Sequence, residues 1–462
     1  MFFAQYYLDC LSQASYMIAD EATGQAVVVD PRRDVSEYLA EAEARGFTVV
    51  GVINTHFHAD FVAGHLEMAA RTGAWIGYGR RAETEYPIRK LADGETISLG
   101  DVTLEIMETP GHTPESISVL VRERGQDAVP YGVLTGDALF IGDVGRPDLL
   151  ASLGVTAEEL GAMLHDSVQN KLMGLPDEVR VFPAHGAGSA CGKNLSTEKQ
   201  STIGAQRATN YACAPMTQAE FVAIVTAGQS AAPGYFVHDA ILNRKDRALF
   251  DPAAAPRPLN AEEFTELRAA GAVVVDARDP QEFAAGHLRG AVNVPADGRF
   301  AEQAGTVLPA DTDLLVVAPQ NREEEIVTRL ARIGFDRVTG YLRSPGDALT
   351  ELADEVTPAG RLTAAQVRTA LEGENAPVVI DVRNCGERAE HGIIDGALHI
   401  ALGELPRRLD EIPREKPLVL HCAGGHRSSV AASLLRHHGF TDVSDILGGY
   451  AAWARLDTPA EV

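Results

Sequence analysis

Apolar runs separated by polar turns divide the first 250 residues into short strands and helices. These runs predict strands over Ser15–Ala19, Ala26–Asp30, Thr48–Asn54, Val102–Met107, Ser116–Val121 and Gly132–Thr135. Apolar positions at helical spacing predict helices over Val35–Arg45, Phe61–Arg71 and Ala157–Met173. Strands in runs with helices between them suggest two sheets sandwiched by helices, although the pattern alone leaves that arrangement open.

The rest of the chain contains an internal repeat of domain length. Two segments recur with a period of about 105 residues: Val273–Arg278 as Val378–Arg383, and Gly290–Val294 as Gly396–Ile400. Each copy opens with a capping-box pattern, beginning at Asn260 or Thr363, and then alternates apolar strands with helices. This alternation is typical of a small α/β domain with a parallel sheet.

Proline-rich segments mark the boundaries. The segment Asp251–Pro258 has three prolines and no periodicity, so it is predicted to be a stiff linker. A second boundary lies near Pro358. We therefore predict an α/β protein with three domains, over residues 1–250, 259–355 and 360–457, the first joined to the second by the linker 251–258.

Composition narrows the possible partners. The chain has 462 residues, 45% of them hydrophobic, which is enough apolar material for two or three cores. A formal net charge of −25 repels nucleic acid phosphates and anionic membranes, so we expect neither as a partner and favour small-molecule chemistry. Such acidity also serves simply to keep a protein soluble.

Cysteine usage and the N-terminal sequence bear on the compartment. The five cysteines are far apart and form no Cys-x-x-Cys pair, which fits a reducing environment. The N-terminal residues have no basic segment followed by an apolar core, and no apolar run approaches the length of about 18 residues that a membrane span needs. We expect a cytoplasmic protein.

Potential metal ligands follow the predicted strands of the first domain. They occur in Thr55-His56-Phe57-His58-Ala59-Asp60, Pro110-Gly111-His112-Thr113-Pro114, Thr135-Gly136-Asp137 and Phe182-Pro183-Ala184-His185-Gly186. Any one of these histidines is more often structural, but four such segments together favour a metal site. The first has the spacing of a dinuclear hydrolase, yet Phe61 follows it, and a phenyl ring has no lone pair for a second metal. We expect one open metal.

These segments resemble the metallo-β-lactamase superfamily over approximately residues 1–250, and within it the glyoxalase II-like branch that includes the persulfide dioxygenases. The resemblance implies an αββα sandwich with the site at one edge between the sheets. It also implies that His56, His112 and Asp137 bind one Fe(II) per chain.

The donor chemistry favours the same metal. Two histidines and one carboxylate leave coordination positions open, which suits non-haem Fe(II) that binds both a substrate and O₂. Zinc is a possible substitute, but it has no redox chemistry and would serve only hydrolysis. With His56, His112 and Asp137 as ligands, we expect His58 and Asp60 to orient them by hydrogen bonds. We expect His185 either to orient them as well or to line the pocket.

Three features of the first domain concern the substrate. Gly145-Arg146-Pro147-Asp148 resembles a family loop that places substrate, although a loop-bracing ion pair explains Arg146 equally well. Phe182 and the segment Gly188–Lys193 differ from the glutathione-using members, which makes glutathione persulfide doubtful as the substrate. Cys191 is either a small buried hydrophobe or a thiol that positions sulfur. We assign Arg146, His185 and Cys191 to the substrate pocket.

The second repeat copy carries a candidate nucleophile. Cys422 lies between an apolar strand, Pro417–Leu420, and an amphipathic helix, Ser429–His438, where backbone N–H groups and a helix N-terminus stabilise a thiolate. The segment from Cys422 to Arg427 has six residues, which fits one sulfur atom, whereas cysteine phosphatases use a longer loop for phosphate. We assign catalysis to Cys422 and Arg427, and substrate binding to Gly424, Gly425 and His426.

This copy resembles the rhodanese sulfurtransferases over about residues 360–457. Asp381, Arg383 and the Gly396-Ala397 turn occupy the family's usual places, and the resemblance implies that Cys422 carries a persulfide. Cys385 is interpreted as a bystander thiol. The first copy departs from the pattern, because Ala318 stands where the nucleophile would be and Pro319 removes one N–H. We interpret it as an architectural domain that serves docking or dimer contacts, so we expect a homo-oligomer.

The two halves point to sulfur chemistry. The fusion resembles bacterial persulfide dioxygenase-sulfurtransferases, which implies oxidation of a low-molecular-weight thiol persulfide by O₂ to sulfite, coupled to sulfur transfer from Cys422 that gives thiosulfate. Transfer in the reverse order, with Cys422 loading the iron site, remains open, as does the carrier thiol. Two other functions also remain open: a zinc thioester hydrolase of glyoxalase II type, and a sulfur relay that consumes no oxygen.

Overall fold

The computed structural model describes residues 1–149, 154–229, 231–252 and 256–457. Two compact units are present. One comprises Met1–Ala232, Phe236–Phe250 and Arg332–Gly334, and the other Pro233–Tyr235, Asp251–Ala331 and Phe335–Val462. Within the predicted linker, Ala253–Ala255 lie outside the described residues. The domain limits drawn from the sequence stay predictions.

The first unit contains two six-stranded mixed sheets. Strands of the first sheet are β1 (Phe2–Leu8), β2 (Gln13–Ala19), β3 (Gln25–Val29), β4 (Thr48–Ile53), β5 (Trp75–Gly79) and β6 (Arg89–Leu91), in that order. Those of the second are β7 (Thr96–Ser98), β8 (Thr103–Glu108), β9 (Ile117–Arg122), β10 (Gly132–Gly136), β11 (Arg180–Pro183) and β12 (Ser201–Thr202), again in sequential order. Each sheet has antiparallel and parallel neighbours.

The sheets pack face to face and helices cover their outer faces. One apolar cluster joins residues of both sheets, including Ile18 and Val29 from the first and Leu104 and Val119 from the second. Separate clusters lie beneath helices on either side. The helices are α1 (Ser36–Arg45), α2 (His65–Thr72), α3 (Ala157–Asp166), α4 (Ile203–Thr209), α5 (Gln218–Thr226) and α6 (Phe236–Leu242). The predicted αββα sandwich is confirmed.

Helix α2 begins four residues later than the sequence predicts. Phe61 to Gly64 do not continue a helix, because distant groups satisfy their backbone: Asn243 donates to the Phe61 carbonyl and accepts from the Ala63 N–H, both at 2.8 Å. The Gly64 N–H donates to the Pro31 carbonyl. A Cβ on Gly64 would lie 2.2 Å from the Arg32 carbonyl oxygen, so the chain passes too close there for any other residue.

The predicted helix Ala157–Met173 is α-helical only as far as Asp166. A π-helical turn, Ser167–Lys171, and a 3₁₀ turn, Leu172–Gly174, follow it. At the start of the π-turn the Ser167 hydroxyl donates to the Pro110 carbonyl at 2.7 Å, which ties this helix to the loop that carries His112.

The second unit contains two five-stranded parallel sheets, one from each repeat copy. The first copy has β13 (Pro258–Leu259), β14 (Val273–Asp276), β15 (His287–Leu288), β16 (Val292–Asn293), β17 (Leu314–Val317), β18 (Val338–Leu342) and β19 (Val356–Thr357), of which β15 and β19 pair separately. Its helices are α7 (Ala261–Ala269), α8 (Pro280–Ala285), α9 (Phe300–Val307), α10 (Glu323–Ala331) and α11 (Pro345–Glu351).

The second copy repeats this plan. Its strands are β20 (Gly360–Leu362), β21 (Val378–Asp381), β22 (Leu398–His399), β23 (Leu418–His421) and β24 (Val443–Ile446), and its helices are α12 (Ala364–Leu371), α13 (Cys385–His391), α14 (His426–His437) and α15 (Gly449–Ala454). Capping boxes open α7 at Asn260 and α12 at Thr363, as the sequence predicts. The α/β fold class is confirmed. Among the residues described, none of the helices combines the length and the apolar composition that crossing a membrane requires.

Candidate metal centre and thiol cradle

Strand ends bring three of the proposed donors together. His56 follows β4, His112 lies in the loop between β8 and β9, and Asp137 follows β10. One ligand atom from each of the three lies within 4.8 Å of the others, and all three side chains are buried. The Asp137 Oδ2 atom is 3.8 Å from His56 Nε2 and 3.5 Å from His112 Nε2. The structure therefore places the three predicted ligands around one point.

Hydrogen bonds to the protein fix which nitrogen of each histidine faces that point. The His112 Nδ1 atom is 2.9 Å from the Arg146 carbonyl oxygen, and a carbonyl only accepts, so Nδ1 carries the proton. The Thr55 hydroxyl donates to Asp30 at 2.9 Å and therefore accepts from His56 Nδ1 at 3.0 Å. In both rings Nε2 is left with its lone pair, which is the form that binds a metal.

Unpartnered atoms at this point fit a cation. His56 Nε2 and Asp137 Oδ2 are buried and lack a hydrogen-bond partner. Burial, and after it the neighbouring His58, lowers the pKa of His56 well below its usual value, and burial also lowers the pKa of His112, so both rings are neutral. Burial would raise the pKa of Asp137, but His185, His56 and His112 outweigh it and keep the group ionised.

His185 contacts the proposed ligand Asp137 directly. Its Nδ1 donates to Asp137 Oδ1 at 2.7 Å, and its Nε2 lies 2.8 Å from Asp60 Oδ2. Burial opposes a charge on this ring, but the carboxylates of Asp137 and then Asp60 raise the pKa of His185 well above its usual value. The chain Asp60–His185–Asp137 thus holds one carboxylate oxygen of Asp137 in place and leaves the other for a metal.

His58 lies beside His56, with 4.2 Å between the ring centroids, but is not part of the three-donor group. Its Nδ1 is buried without a hydrogen-bond partner among the described residues. Its Nε2 lies 2.9 Å from Asp30 Oδ1, and the same carboxylate accepts from the Thr55 N–H and hydroxyl. The Phe61 ring packs on His58 with 4.3 Å between ring centroids. Sequence analysis missed Asp30, although it directly follows an apolar strand, β3, just as the other candidate donors follow strands. The backbone of Asp30 is left-handed, with φ 52°, and turns the chain there.

Arg146 braces the loop beside His112. Its guanidinium donates two hydrogen bonds of 2.7 Å to Asp148. Its main-chain N–H donates to the Cys191 carbonyl, and its main-chain carbonyl accepts from His112. These contacts support the loop-bracing interpretation of this arginine. The arginine side chain is paired with Asp148 and is only 2% exposed.

Cys191 is buried close to the same centre. Ligand atoms of Cys191, Asp60 and His185 lie within 4.8 Å of one another and form a second group of potential donors. Burial, followed by the charges of Asp60 and Asp137, raises the pKa of the Cys191 thiol well above its usual value. The thiol is therefore held in its neutral form, as expected for a small buried group. Because Cys191 lies beside Asp60 and His185, a role in positioning sulfur stays a proposal.

The thiol cradle, residues 422–427, joins β23 to α14. The Gly425 N–H donates to Cys422 Sγ at 3.1 Å, and the thiol lies 3.6 Å from the Ser428 hydroxyl. Gly425 has φ 100°, which few other residues adopt, and it is the N-cap of α14. The helix begins at His426, three residues earlier than predicted, so its N-terminus lies directly behind the sulfur. The side chain of His426 is exposed.

Arg427 forms a two-pronged ion pair that the sequence analysis missed. Its Nη1 is 2.7 Å from Glu387 Oε2 and its Nη2 is 2.5 Å from Glu387 Oε1. Burial opposes the charge, but Glu387, and after it Cys422 and Glu302, raise the pKa of Arg427. The available signal was the capping-box spacing from Asn384 to Glu387 at the start of α13.

The first repeat copy has no thiol at the matching position but contacts the cradle's helix. Ala318 follows β17, buried where Cys422 follows β23. The Ser429 hydroxyl donates to Asn293 Oδ1 at 2.9 Å, and the Asn293 N–H donates to the Ser433 hydroxyl at 2.8 Å. Both serines lie on α14, so the first copy braces the helix behind Cys422.

Comparisons with known proteins agree with this architecture. A model of the metallo-beta-lactamase superfamily matches residues 8–185, and a rhodanese-like domain model matches residues 260–343 and 363–456. The crystal structure of a metallo-beta-lactamase from Staphylococcus aureus subsp. aureus COL is 32% identical, with a TM-score of 0.67, and the match covers 74% of this chain and 98% of that one. The chain belongs to the metallo-beta-lactamase superfamily. In this member, two rhodanese-like domains follow the metallo-beta-lactamase domain.

Two curated relatives of the metallo-beta-lactamase domain differ in function. A hydroxyacylglutathione hydrolase of Rhodospirillum rubrum is 31% identical over 172 residues, which are 37% of this chain and 60% of that protein. The mitochondrial persulfide dioxygenase ETHE1 of Homo sapiens is 28% identical over 173 residues, 37% of this chain and 63% of that protein. The chain thus spans about three fifths of the length of the curated relatives it matches.

Proposed function

We propose that this metallo-beta-lactamase superfamily member is an iron-dependent persulfide dioxygenase joined to a sulfurtransferase. The observation that carries the proposal is the composition of the donor group: two neutral histidines, His56 and His112, with the carboxylate of Asp137. This set leaves room for a substrate and O₂ on the open side of the metal. The likeness to a persulfide dioxygenase and to rhodanese-like domains supports a role in sulfur metabolism.

Phe61 argues against the zinc hydrolase. It removes a donor from the position beside Asp60, where a second zinc would bind. His58 lies outside the group of three donors whose ligand atoms converge, and its Nε2 is bound to Asp30. The likeness to a hydroxyacylglutathione hydrolase covers the metallo-beta-lactamase domain, and a shared fold does not by itself imply a shared reaction.

The first reaction converts a thiol persulfide, RSSH, with O₂ and water into the thiol RSH and sulfurous acid, which ionises to sulfite. The outer sulfur loses four electrons and O₂ gains four. When bound at His56, His112 and Asp137, Fe(II) supplies the redox chemistry that brings O₂ to that sulfur. The protein's part is to hold the two imidazoles through their Nδ1–H bonds, to fix Asp137 through His185, and to keep bulk water out of a buried site.

The second reaction takes place at Cys422. The thiolate attacks the outer sulfur of a second persulfide, forming a Cys422 persulfide and releasing RSH. Sulfite then attacks that outer sulfur, which leaves as thiosulfate and restores the thiolate. The Gly425 N–H, directed at Cys422 Sγ, stabilises the anionic sulfur in both steps. Carrying both activities on one chain keeps sulfite at a high local concentration near the cradle.

Oxygen uptake tests the first reaction. Protein reconstituted with Fe(II) is expected to consume O₂ when given a thiol persulfide, and the sulfite and thiosulfate formed should together equal the O₂ consumed. A His112→Ala variant is expected to lose the bound iron and the uptake together, whereas the exposed-surface variant His391→Ala should keep both. Absence of persulfide-dependent uptake in the iron-loaded protein, or hydrolysis of acyl-glutathione by its zinc form, would contradict the proposal.

Thiosulfate formation tests the second reaction. A Cys422→Ser variant is expected to consume O₂ at the wild-type rate, to release one sulfite per O₂ and to form no thiosulfate, because serine does not carry sulfane sulfur. A Cys385→Ser variant serves as the matched control, since that thiol is exposed on the same domain. Full thiosulfate formation by the Cys422→Ser variant would show that the sulfur carrier lies elsewhere.

A further inference from the structure

The cation at the end of the thiol cradle is already neutralised. Both terminal nitrogens of Arg427 are bound by the two carboxylate oxygens of Glu387, and the two side chains are 26% and 30% exposed. Bidentate geometry of this kind holds a guanidinium in one orientation and cancels its charge locally. The cradle thus presents backbone N–H groups to a ligand, with an ion pair in place of a free positive charge.

The carboxylate of Glu387 is fixed independently of any ligand. It belongs to the capping box of α13, in which its Oε2 accepts the Asn384 N–H at 3.0 Å. Glu302, on α9 of the first copy, is ion-paired with Arg299 and adds a weaker negative influence on the same guanidinium. Two acidic side chains from two domains of the unit therefore act on Arg427.

Two neighbouring arginines in this domain share the carboxylate of Asp381. Arg383 binds both carboxylate oxygens of Asp381, and Arg388 binds one of them. Neither arginine supplies an unpaired cation at the end of the cradle, where Arg427 is itself paired. A dianion entering the cradle therefore meets Arg427 with its charge neutralised, which lowers the affinity of the dianion relative to a cradle in which Arg427 is free.

We propose that Glu387 is a specificity-determining residue, which weakens the hold of the Cys422 cradle on thiosulfate by neutralising Arg427. The inference rests on the proposed formation of thiosulfate at this site. Sulfur transfer there is reversible: the Cys422 thiolate can attack the sulfane sulfur of thiosulfate, forming the Cys422 persulfide as the sulfur–sulfur bond breaks and sulfite leaves with the electron pair. A weak hold on thiosulfate favours release of the product over this reverse step.

The substitution that isolates the charge is Glu387→Gln. Glutamine keeps the length of the side chain and the amide oxygen that a capping box needs, so α13 retains its start. It removes the negative charge opposite Arg427, and its NH₂ group replaces the oxygen that accepts from Arg427 Nη2. Glu390→Gln is the matched control, because Glu390 lies on the same short helix with its side chain 76% exposed.

Thiosulfate binding is measured without turnover. In a Cys422→Ser background, which prevents sulfur transfer, calorimetric titration with thiosulfate is expected to show about tenfold tighter binding after Glu387→Gln and no change after Glu390→Gln. The gain should shrink as salt is added, because the freed charge is partly exposed. With Cys422 present, the KM for thiosulfate as donor to cyanide should fall by a similar factor.

Unchanged or weaker thiosulfate binding after Glu387→Gln would overturn the proposal, since it would show that the carboxylate only orients Arg427. If this variant does not fold, Glu302→Gln provides a second test, with tightening in the same direction but smaller. Neither measurement involves iron or O₂. Loss of the proposed function would appear instead as failure of persulfide-dependent oxygen uptake, so the two failures are distinguishable.

Discussion

The His112 Nδ1–H donates to the main-chain carbonyl of Arg146 over 2.9 Å. The contact links a proposed metal ligand to the backbone of a loop rather than to a side chain. The loop is held by the two hydrogen bonds between the Arg146 guanidinium and Asp148. Arg146 therefore influences the metal centre by keeping its own carbonyl in place.

We expect Arg146→Ala to weaken iron binding about tenfold, because the loop loses the brace that positions the carbonyl opposite His112. The measurement is a competition titration of Fe(II) against a chelator of known affinity, under anaerobic conditions. Arg122→Ala, which removes an ion pair to Glu105 on the same unit, is the control and should leave the affinity unchanged. Equal affinity of Arg146→Ala and wild type would mean that the loop holds without its arginine.

Thr55 connects His56 to Asp30 through its hydroxyl. Thr55→Val keeps the side-chain shape but removes the group that accepts the Nδ1–H bond, so the ring is expected to lose its preferred tautomer and the protein to bind iron about tenfold more weakly. Thr55→Ser retains the hydroxyl and should restore most of the affinity. The same chelator competition measures both variants. Unchanged iron affinity of Thr55→Val would show that the hydroxyl does not position His56.

Phe61 occupies the position where a second metal ligand would be. We expect Phe61→His to raise the zinc content of protein grown in zinc-rich medium from one toward two ions per chain, since it supplies the absent donor beside Asp60. Phe61→Leu, which keeps the position apolar, should remain at one. Elemental analysis of the purified proteins gives the stoichiometry, and two zinc ions in the wild type would contradict the single-metal interpretation.

Asn293 braces α14 from the first repeat copy. Asn293→Ala leaves the Arg278 carbonyl and the Ser429 hydroxyl without their buried partner, whereas the Asp276 carbonyl keeps the Val294 N–H; the expected cost is about 2 kcal/mol of unfolding free energy. Urea unfolding followed by the fluorescence of Trp453, in a Trp75→Phe background, measures the loss. Ser429→Ala should cost less, and the two effects should not add, because they remove one shared bond.

Asp381 gives a pH-dependent contribution to stability. Burial opposes its charge, but hydrogen bonds from Arg383 keep its pKa below the ordinary value of 3.8. A carboxyl with a lowered folded pKa stabilises the protein above its unfolded value and loses that contribution as pH falls through the folded value. Asp381→Asn should therefore cost about 3 kcal/mol near pH 7. The difference in unfolding free energy between this variant and the wild type should narrow below about pH 4. The exposed-site variant Asp395→Asn should have the wild-type unfolding free energy at every pH.

Local patterns explain how well the sequence predicts the strands. The structure has β3 at Gln25–Val29, β4 at Thr48–Ile53 and β9 at Ile117–Arg122, each within one residue of the prediction. Their apolar runs are buried, and period-two patterning is a local property of the chain. The three proposed ligands were likewise predicted from the motifs together with the family resemblance, and their donor atoms lie close together in the structure.

Features that depend on distant partners were not predictable from the sequence. The start of α2 is set by Asn243, about 180 positions away along the chain, and nothing in the residues after Asp60 reveals that contact. The strand β1, Phe2–Leu8, is half-buried throughout and shows no clean alternation. The pairing of Glu387 with Arg427 spans two helices whose approach follows from the sheet, and the link between His58 and Asp30 joins the ends of two adjacent strands.

The two oxygens of Asp137 have separate tasks, since Oδ1 accepts from His185 and Oδ2 faces the two other ligands. An amide in this place has one oxygen and one NH₂ group, so asparagine would direct a donor either at the imidazolium of His185 or at the incoming cation. Glutamate would push both oxygens outward by one methylene. No isostere satisfies both neighbours, and the position accepts only the side chain it has.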